Sequence, residues 1–476
     1  MMNVDLESLP PTWRRYLAYA TVALMPLSWK LSSAKEAPYL SPLHVLLPIL
    51  AVLMFIDLPM RRSWARFRVP PLAGILWAGL AAVSLLWSGS GAPGSEATKS
   101  SETIKVWAHG ALNPFLFGLA AVWVFQNLAR DAAEYRRLAL LLLASFGVCV
   151  LLALRQYVGP VGLPYDPSNP AQDLLGVSNS RLAGWYDFRG VFGAQAALLV
   201  PAAAAFALLD KDAAVRWAAR ALALLTLCVA LAGGGFIGAC AGLIAVAAAC
   251  ALSRSWLKGL ALLVILLLLT ASVLPRLPRH NTALLFRGLA FFAADDGEMK
   301  PTATLRRHQA ALDLLAAPSN PQDERSAPNW LKGVGAGQFQ RHINQFYQPP
   351  YVKPGRRTDD EAAYDMEAYE PFTFGLLETV AVELGLPGLL AILFLLASWI
   401  AAAQGGFARL AFPSPSPSPA AKTQKEIGAV LALAALGAGC GALVLSLFAN
   451  PAIRGVGGTF AFFFALALCS RKWAAE

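Results

Sequence analysis

Two carboxylates five residues apart, Glu378 and Glu383, stand inside the apolar run FTFGLLETVAVELGLPGLL at residues 372–390. An ionised group in hydrocarbon is costly, so an acid in such a run faces a wet cavity or a partner charge. At about 100° per residue the two side chains lie roughly 140° apart on a helix, which rules out a dyad on one face. A second set of candidates is cationic: Arg181 and Arg189 in a Pro- and Gly-rich stretch, Arg306 and Arg307 in TATLRRHQAALDLLAAP, and Lys105 ahead of another apolar run. The planar guanidinium fork suits bidentate contact with phosphate oxygens, so these residues could clamp an anionic lipid headgroup whose tail lies between apolar helices. The competing reading is that each pairs with bulk lipid phosphate or a neighbouring acid. His342, in QRHINQF, is a candidate base near neutral pH or else an exposed polar residue, and His308 beside Arg307 has the same standing.

The elements that must position these groups are membrane helices. The chain has 476 residues, of which 57% are hydrophobic and 14% charged, whereas a soluble domain carries about a quarter charged residues. Apolar runs long enough to cross a bilayer, about 20 residues as helices, centre near residues 22, 49, 79, 118, 147, 200, 226, 243, 266, 393, 438 and 464. The expected fold class is therefore an all-α polytopic membrane protein of about twelve transmembrane helices. Residues 1–274 carry helices one to nine, 275–372 form a cap, and 373–476 carry helices ten to twelve.

Basic residues in short loops mark the cytoplasmic side. With both termini inside, the inner segments hold nineteen of the 39 Lys and Arg residues, among them Arg136, Lys211, Arg216, Lys258 and Lys425. The short outer loops hold eight, and twelve fall in the long outer segment 275–372, which the rule does not bind. The net charge of +10 is thus mostly an orientation signal, and no nucleic-acid partner is expected. The six cysteines lie in or beside apolar spans and offer neither a disulfide framework nor metal-ligand spacing. The N-terminus, lacking a small-residue cleavage pattern, reads as a tail plus first helix.

Three connections are long. Residues 157–190 form an outer loop rich in Pro, Gly and Asn, and residues 404–427, containing PSPSPSP, read as an extended inner linker with its core at 411–421. The third, 275–372, is too long for an idle loop. Within it, Leu305, Ala311, Leu312 and Leu315 predict a helix with one apolar face, starting near Thr302 or Thr304. GVGAGQF follows at 333–339. Its glycines suit a tight turn with close backbone packing, and as a phosphate cradle the motif is weak because no strand precedes it.

Taken in order, RLAGWYDFRGVFGAQAALLVP from Arg181, LRRHQAALDLL, GVGAGQF and ELGLPGLL resemble the O-antigen ligase and polymerase superfamily of bacterial envelope enzymes. The resemblance covers most of the chain. It implies twelve helices, a large periplasmic loop between helices nine and ten, and a multi-pass protein of the bacterial inner membrane. It further implies an inverting, metal-independent glycosyltransferase with no cofactor. The donor would be an undecaprenyl-diphosphate-linked glycan held by arginines, and the acceptor a glycan, lipid A core or protein hydroxyl. Polymerase, ligase and protein-transferase readings stay open, as do a flippase and a non-catalytic component of a polysaccharide export complex.

The sequence departs from the family at two places. Ligases commonly carry His-Asn eleven residues ahead of the first glycine of G-x-x-G; here that offset from Gly385 falls on Phe374 and Gly375. A Ser-Arg pair common at the seventh-to-eighth helix turn is replaced by LAGGGFIGA. A base would then have to come from His342, Glu370 or Glu378, unless positioning and leaving-group stabilisation suffice. The expectation for the two acids is that Glu378 faces the lipid-and-glycan cavity and Glu383 is structural.

Overall fold

The computed structural model describes residues 12–27, 42–60, 71–88, 118–129, 131–158, 189–230, 234–252, 256–273, 292–295, 298–301, 303–316, 330–339, 375–411, 419–450 and 456–474. These are almost entirely helical: α1 (Thr12–Leu24), α2 (Pro42–Met60), α3 (Leu72–Ser88), α4 (Ala121–Asn127), α5 (Ala132–Val158), α6 (Arg189–Leu209), α7 (Ala213–Ala230), α8 (Gly234–Ala251), α9 (Trp256–Val273), α10 (Ala303–Ala316), α11 (Leu376–Ala411), α12 (Pro419–Leu445) and α13 (Val456–Trp473). Among the described residues the one sheet is a short antiparallel hairpin, β1 (Phe292–Asp295) with β2 (Glu298–Pro301), ahead of α10. Four stretches, Ala132–Arg155, Val191–Leu209, Leu376–Ala411 and Lys422–Leu445, are long and apolar enough to cross a membrane. Pro42–Met54, Leu72–Leu86 and Gly235–Ala251 are shorter apolar helices.

At the centre α6, α8 and α12 pack on one another, and α6 is buried almost throughout. Small residues four apart let the backbones approach: Gly193, Ala197 and Pro201 on α6, Gly238 and Gly242 on α8, Gly437 and Gly441 on α12. Hydrocarbon gives apolar helices no reason to prefer each other over lipid, so such close contact is what holds them together. Pro201 has no N–H and leaves the Ala197 carbonyl without its helical donor. That carbonyl faces Gly441, where an added Cβ would come within 2.3 Å of the oxygen. Against this core α13 and α11 pack through aromatic contacts. Trp399 lies 4.9 Å from the Phe460 ring and 5.8 Å from that of Phe464, and its indole N–H donates to Ala435 O at 2.9 Å.

The two ends of the core differ in chemistry. At one end, where α6 turns into α7, the buried Asp210 takes a bidentate pair from Arg136 of α5, both bonds 2.8 Å. Arg216 donates to the carbonyls of Asp210 and Lys211 at 2.9 and 3.0 Å, and Lys258 of α9 reaches Leu208 O at 3.4 Å, so cations cap the C-terminal end of α6. Lys211 pairs with Glu426 at the start of α12. At the other end of α12, past Leu445, lie the N-terminus of α11 and the segment containing α10. From Glu426 to Leu445 at 1.5 Å per residue is about 28 Å, close to the thickness of a bilayer core.

The linker reading needs correction at both edges. Residues 404–411 continue α11 and 419–427 open α12, because QGGFARLA and AAKTQKEI are mostly good helix formers. Only 412–418 of that stretch lie outside the described residues.

Candidate functional site

The site is built around a break in α11. Gly385 has φ 64° and ψ −163°, and Pro387 follows. Proline cannot donate to Glu383 O, and the Leu386 N–H turns away to Trp330 O at 2.7 Å, so the carbonyls of Val382 and Glu383 lose their helical donors. The glycine loop supplies replacements: Val334 N donates to Val382 O and Gly335 N to Glu383 O, both at 2.9 Å. Such closeness requires glycine on both sides. A Cβ at Gly333 would meet Glu383 O at 2.3 Å, and one at Gly385 would meet Trp330 O at 2.7 Å. Gly333, Gly335 and Gly337 all have positive φ, which glycine adopts without steric cost.

Two further amides of the loop meet side-chain acceptors. Ala336 N donates to Ser84 Oγ of α3 at 3.0 Å, and Phe339 N to Glu383 Oε1 at 3.2 Å. GVGAGQF is therefore a docking turn that stitches the segment to α11 and α3, with the amides of Val334, Gly335, Ala336 and Phe339 directed at protein. Glu383 holds this turn, a structural placement.

A small second core lies beside the stitch. Ala310, Ala311 and Leu314 of α10 pack with Phe339 and Val382, flanked by Leu315 and Val334. The predicted apolar face of α10 is thus present but rotated: Leu312 is 62% exposed, and Ala310 and Leu314 take the inward positions. This packing directs His308 to the N-terminus of α11, where its Nδ1 meets Glu378 Oε1. Glu378 Oε2 accepts the Gly375 N–H at 3.2 Å, closing the start of its own helix. Phe448, in the turn after α12, stands edge-on to the imidazole with centroids 6.2 Å apart. The same turn accepts Leu376 N at Ala449 O (3.2 Å) and Leu377 N at Ser446 O (3.3 Å), which settles the first amides of α11.

The two acids thus do different things, as their angular separation on the helix requires. The His308–Glu378 pair leaves about a fifth of each side chain exposed, 21% in both cases. It combines a carboxylate and an imidazole, the ingredients of proton transfer, at a surface accessible from outside the core. The sequence predicts that Glu378 faces a cavity; its protein partner here is a histidine 70 positions earlier.

The other candidates are placed less fully. Arg306 and Arg307 lie on α10 immediately before His308, and Arg189 opens α6, but their side chains are outside the description. Arg181, Lys105, His342 and Glu370 lie outside the described residues. Among the described residues no cluster of three His, Cys, Asp or Glu side chains forms a metal-binding set.

No protein-family model matches the sequence. No curated protein matches it either.

Proposed function

We propose that this protein is an inverting glycosyltransferase that polymerises or moves an undecaprenyl-diphosphate-linked glycan at the outer face of a bacterial inner membrane. In this reading twelve helices span the bilayer with both termini in the cytoplasm, and 275–372 is the periplasmic segment between the ninth and tenth. The observation that carries the proposal is the position of Glu378. A partly exposed carboxylate stands at the N-terminus of a long apolar helix, at the point where the cationic outer segment comes down onto the membrane helices. A lipid-linked diphosphate arriving between helices would present its sugar at that level, with Arg306 and Arg307 two and one residues before the histidine that Glu378 holds. Cationic side chains that stabilise charge developing on the departing diphosphate supply the electrostatic part of catalysis.

The broken helix α11 is the feature a flippase reading would use, since transporters bind cargo at helix breaks. Here the freed carbonyls are occupied by the glycine loop, which favours a fixed platform over a gate. The test is genetic and chemical together. Deleting the gene is expected to remove or shorten one class of envelope glycan on a gel, and complementation with Glu378→Gln or Glu378→Ala is expected to fail. Unchanged glycans on deletion, or full complementation by both variants, would refute the proposal.

A further inference from the structure

We propose that the outward face of α7 holds an anionic phospholipid of the surrounding bilayer, its phosphate on Arg220 and its acyl chains along Leu224 and Leu225. The inference goes beyond the transferase reading and does not depend on it. α7 packs on α6 and α5 and buries Ala219, Thr226 and Val229. Trp217, Arg220, Ala221, Leu224 and Leu225 follow helical spacing along the opposite stripe. All five are exposed, Trp217 by 67%.

The stripe is apolar at Leu224 and Leu225 and charged one turn earlier. From Ala213 to Arg220 the helix rises about 10 Å, so the α-carbon of Arg220 stands some two turns in from the corner where Arg136 holds Asp210. Helical side chains lean toward the N-terminus. The guanidinium of Arg220 accordingly lies over the Trp217 ring, 4.7 Å from its centroid, which carries the charge back toward that corner. A long cationic side chain and an indole arranged in this way place their polar ends at the boundary of headgroup and hydrocarbon.

A charge at that boundary requires a partner. Among the described residues no carboxylate pairs with Arg220. The indole of Trp217 offers its face to the charge but no acceptor to the five guanidinium N–H groups, and a phosphate takes two of these in one bidentate contact. Arg216, four residues earlier, donates to the carbonyls of Asp210 and Lys211 and adds positive charge at the same end of the helix. That surplus favours a headgroup of net negative charge over a zwitterionic one. A second copy of the chain docked symmetrically through this stripe would set these arginines against their own counterparts.

The experiment titrates the purified full chain, in neutral detergent, with phosphatidylglycerol, phosphatidylcholine or inorganic phosphate, and counts retained lipid by native mass spectrometry. A photoactivatable phosphatidylglycerol then maps the contact by peptide. Wild type is expected to hold phosphatidylglycerol about fivefold more tightly than phosphatidylcholine, to show no retention of inorganic phosphate, and to cross-link within residues 213–230. Arg220→Gln is expected to lose the preference and the cross-link, and Trp217→Ala to weaken both, whereas Arg471→Gln, which removes an exposed arginine at the end of α13, is expected to keep them. Equal retention of the two lipids by wild type, or an unchanged preference and cross-link in Arg220→Gln, would overturn the proposal. A dimer of the wild-type chain that Arg220→Gln dissociates would assign the face to a second copy and overturn it as well.

Discussion

Replacing Gly385 by alanine tests the stitch that seats residues 330–339 on α11. The glycine sits at φ 64°, ψ −163°, a region reserved for glycine, where a side chain costs about 1–3 kcal/mol. The new Cβ would lie 2.7 Å from Trp330 O and 2.8 Å from Leu331 O, so the loop backbone must withdraw. Withdrawal removes three hydrogen bonds, Leu386 N to Trp330 O, Val334 N to Val382 O and Gly335 N to Glu383 O, each worth about 0.5–1.5 kcal/mol. The sum is roughly 3–7 kcal/mol against docking. Hydrogen exchange followed by mass spectrometry on residues 330–339 reads this directly, because the amides of Val334 and Gly335 exchange when the turn lifts. At least about a hundredfold faster exchange is expected there, with α6 and α12 unchanged. Gly79→Ala and Gly405→Ala are the controls: a Cβ at either meets nothing within 4 Å, and both are expected to be neutral or slightly stabilising. Unchanged protection of 330–339 in Gly385→Ala would refute the docking argument.

Other predictions follow from the core and its ends. Arg136→Ala strands the buried carboxylate of Asp210 and is expected to cost about 3 kcal/mol; Asp210→Ala combined with it recovers part of the loss, a coupling readable as a double-mutant cycle of thermal unfolding in detergent. Additive losses would show that the pair does not couple α5 to the α6–α7 corner. Gly441→Ala places a Cβ 2.3 Å from Ala197 O and 3.0 Å from Gly238 O and is expected to lower stability by about 1–3 kcal/mol, measured the same way; a neutral result contradicts the close-packed seam. Lys332 and Lys211 are exposed at opposite ends. In intact cells a membrane-impermeant maleimide is expected to label cysteine at 332 but not at 211, and the reverse pattern would invert the assigned orientation.

How far the sequence revealed this architecture depends on the range of each interaction. Apolar runs are local, and the segments read as crossing at 147, 200, 393 and 438 all fall in helices long enough to span. The docking role of GVGAGQF was legible for a local reason too, since three closely spaced glycines announce positive φ and close approach. What they dock against was not legible, because the acceptors are carbonyls freed by Gly385 and Pro387 some fifty positions later. The same limit hid the partner of Glu378. His308 and Arg307 are equal in sequence context, and only the packing of Ala310 and Leu314 against Val382 brings the imidazole to the carboxylate. Ala311 is buried as the pattern predicts, but Leu312 is not, because the small Ala310 takes the inward place beside it and permits close approach to α11. Arg136 reads from the sequence only as an orientation charge and Asp210 draws no notice, since nothing local announces that the corner after α6 turns back onto α5.

The central proposal is that Arg181, Arg306 and Arg307 grip a polyprenyl diphosphate so that its sugar can leave. Its most direct test is donor turnover by the purified full chain in liposomes, comparing wild type with a variant in which Arg181, Arg306 and Arg307 are all replaced by glutamine. The account predicts release of polyprenyl diphosphate by wild type and a loss of at least about a hundredfold in kcat/KM in the variant. Release at the wild-type rate by the neutralised chain would contradict it.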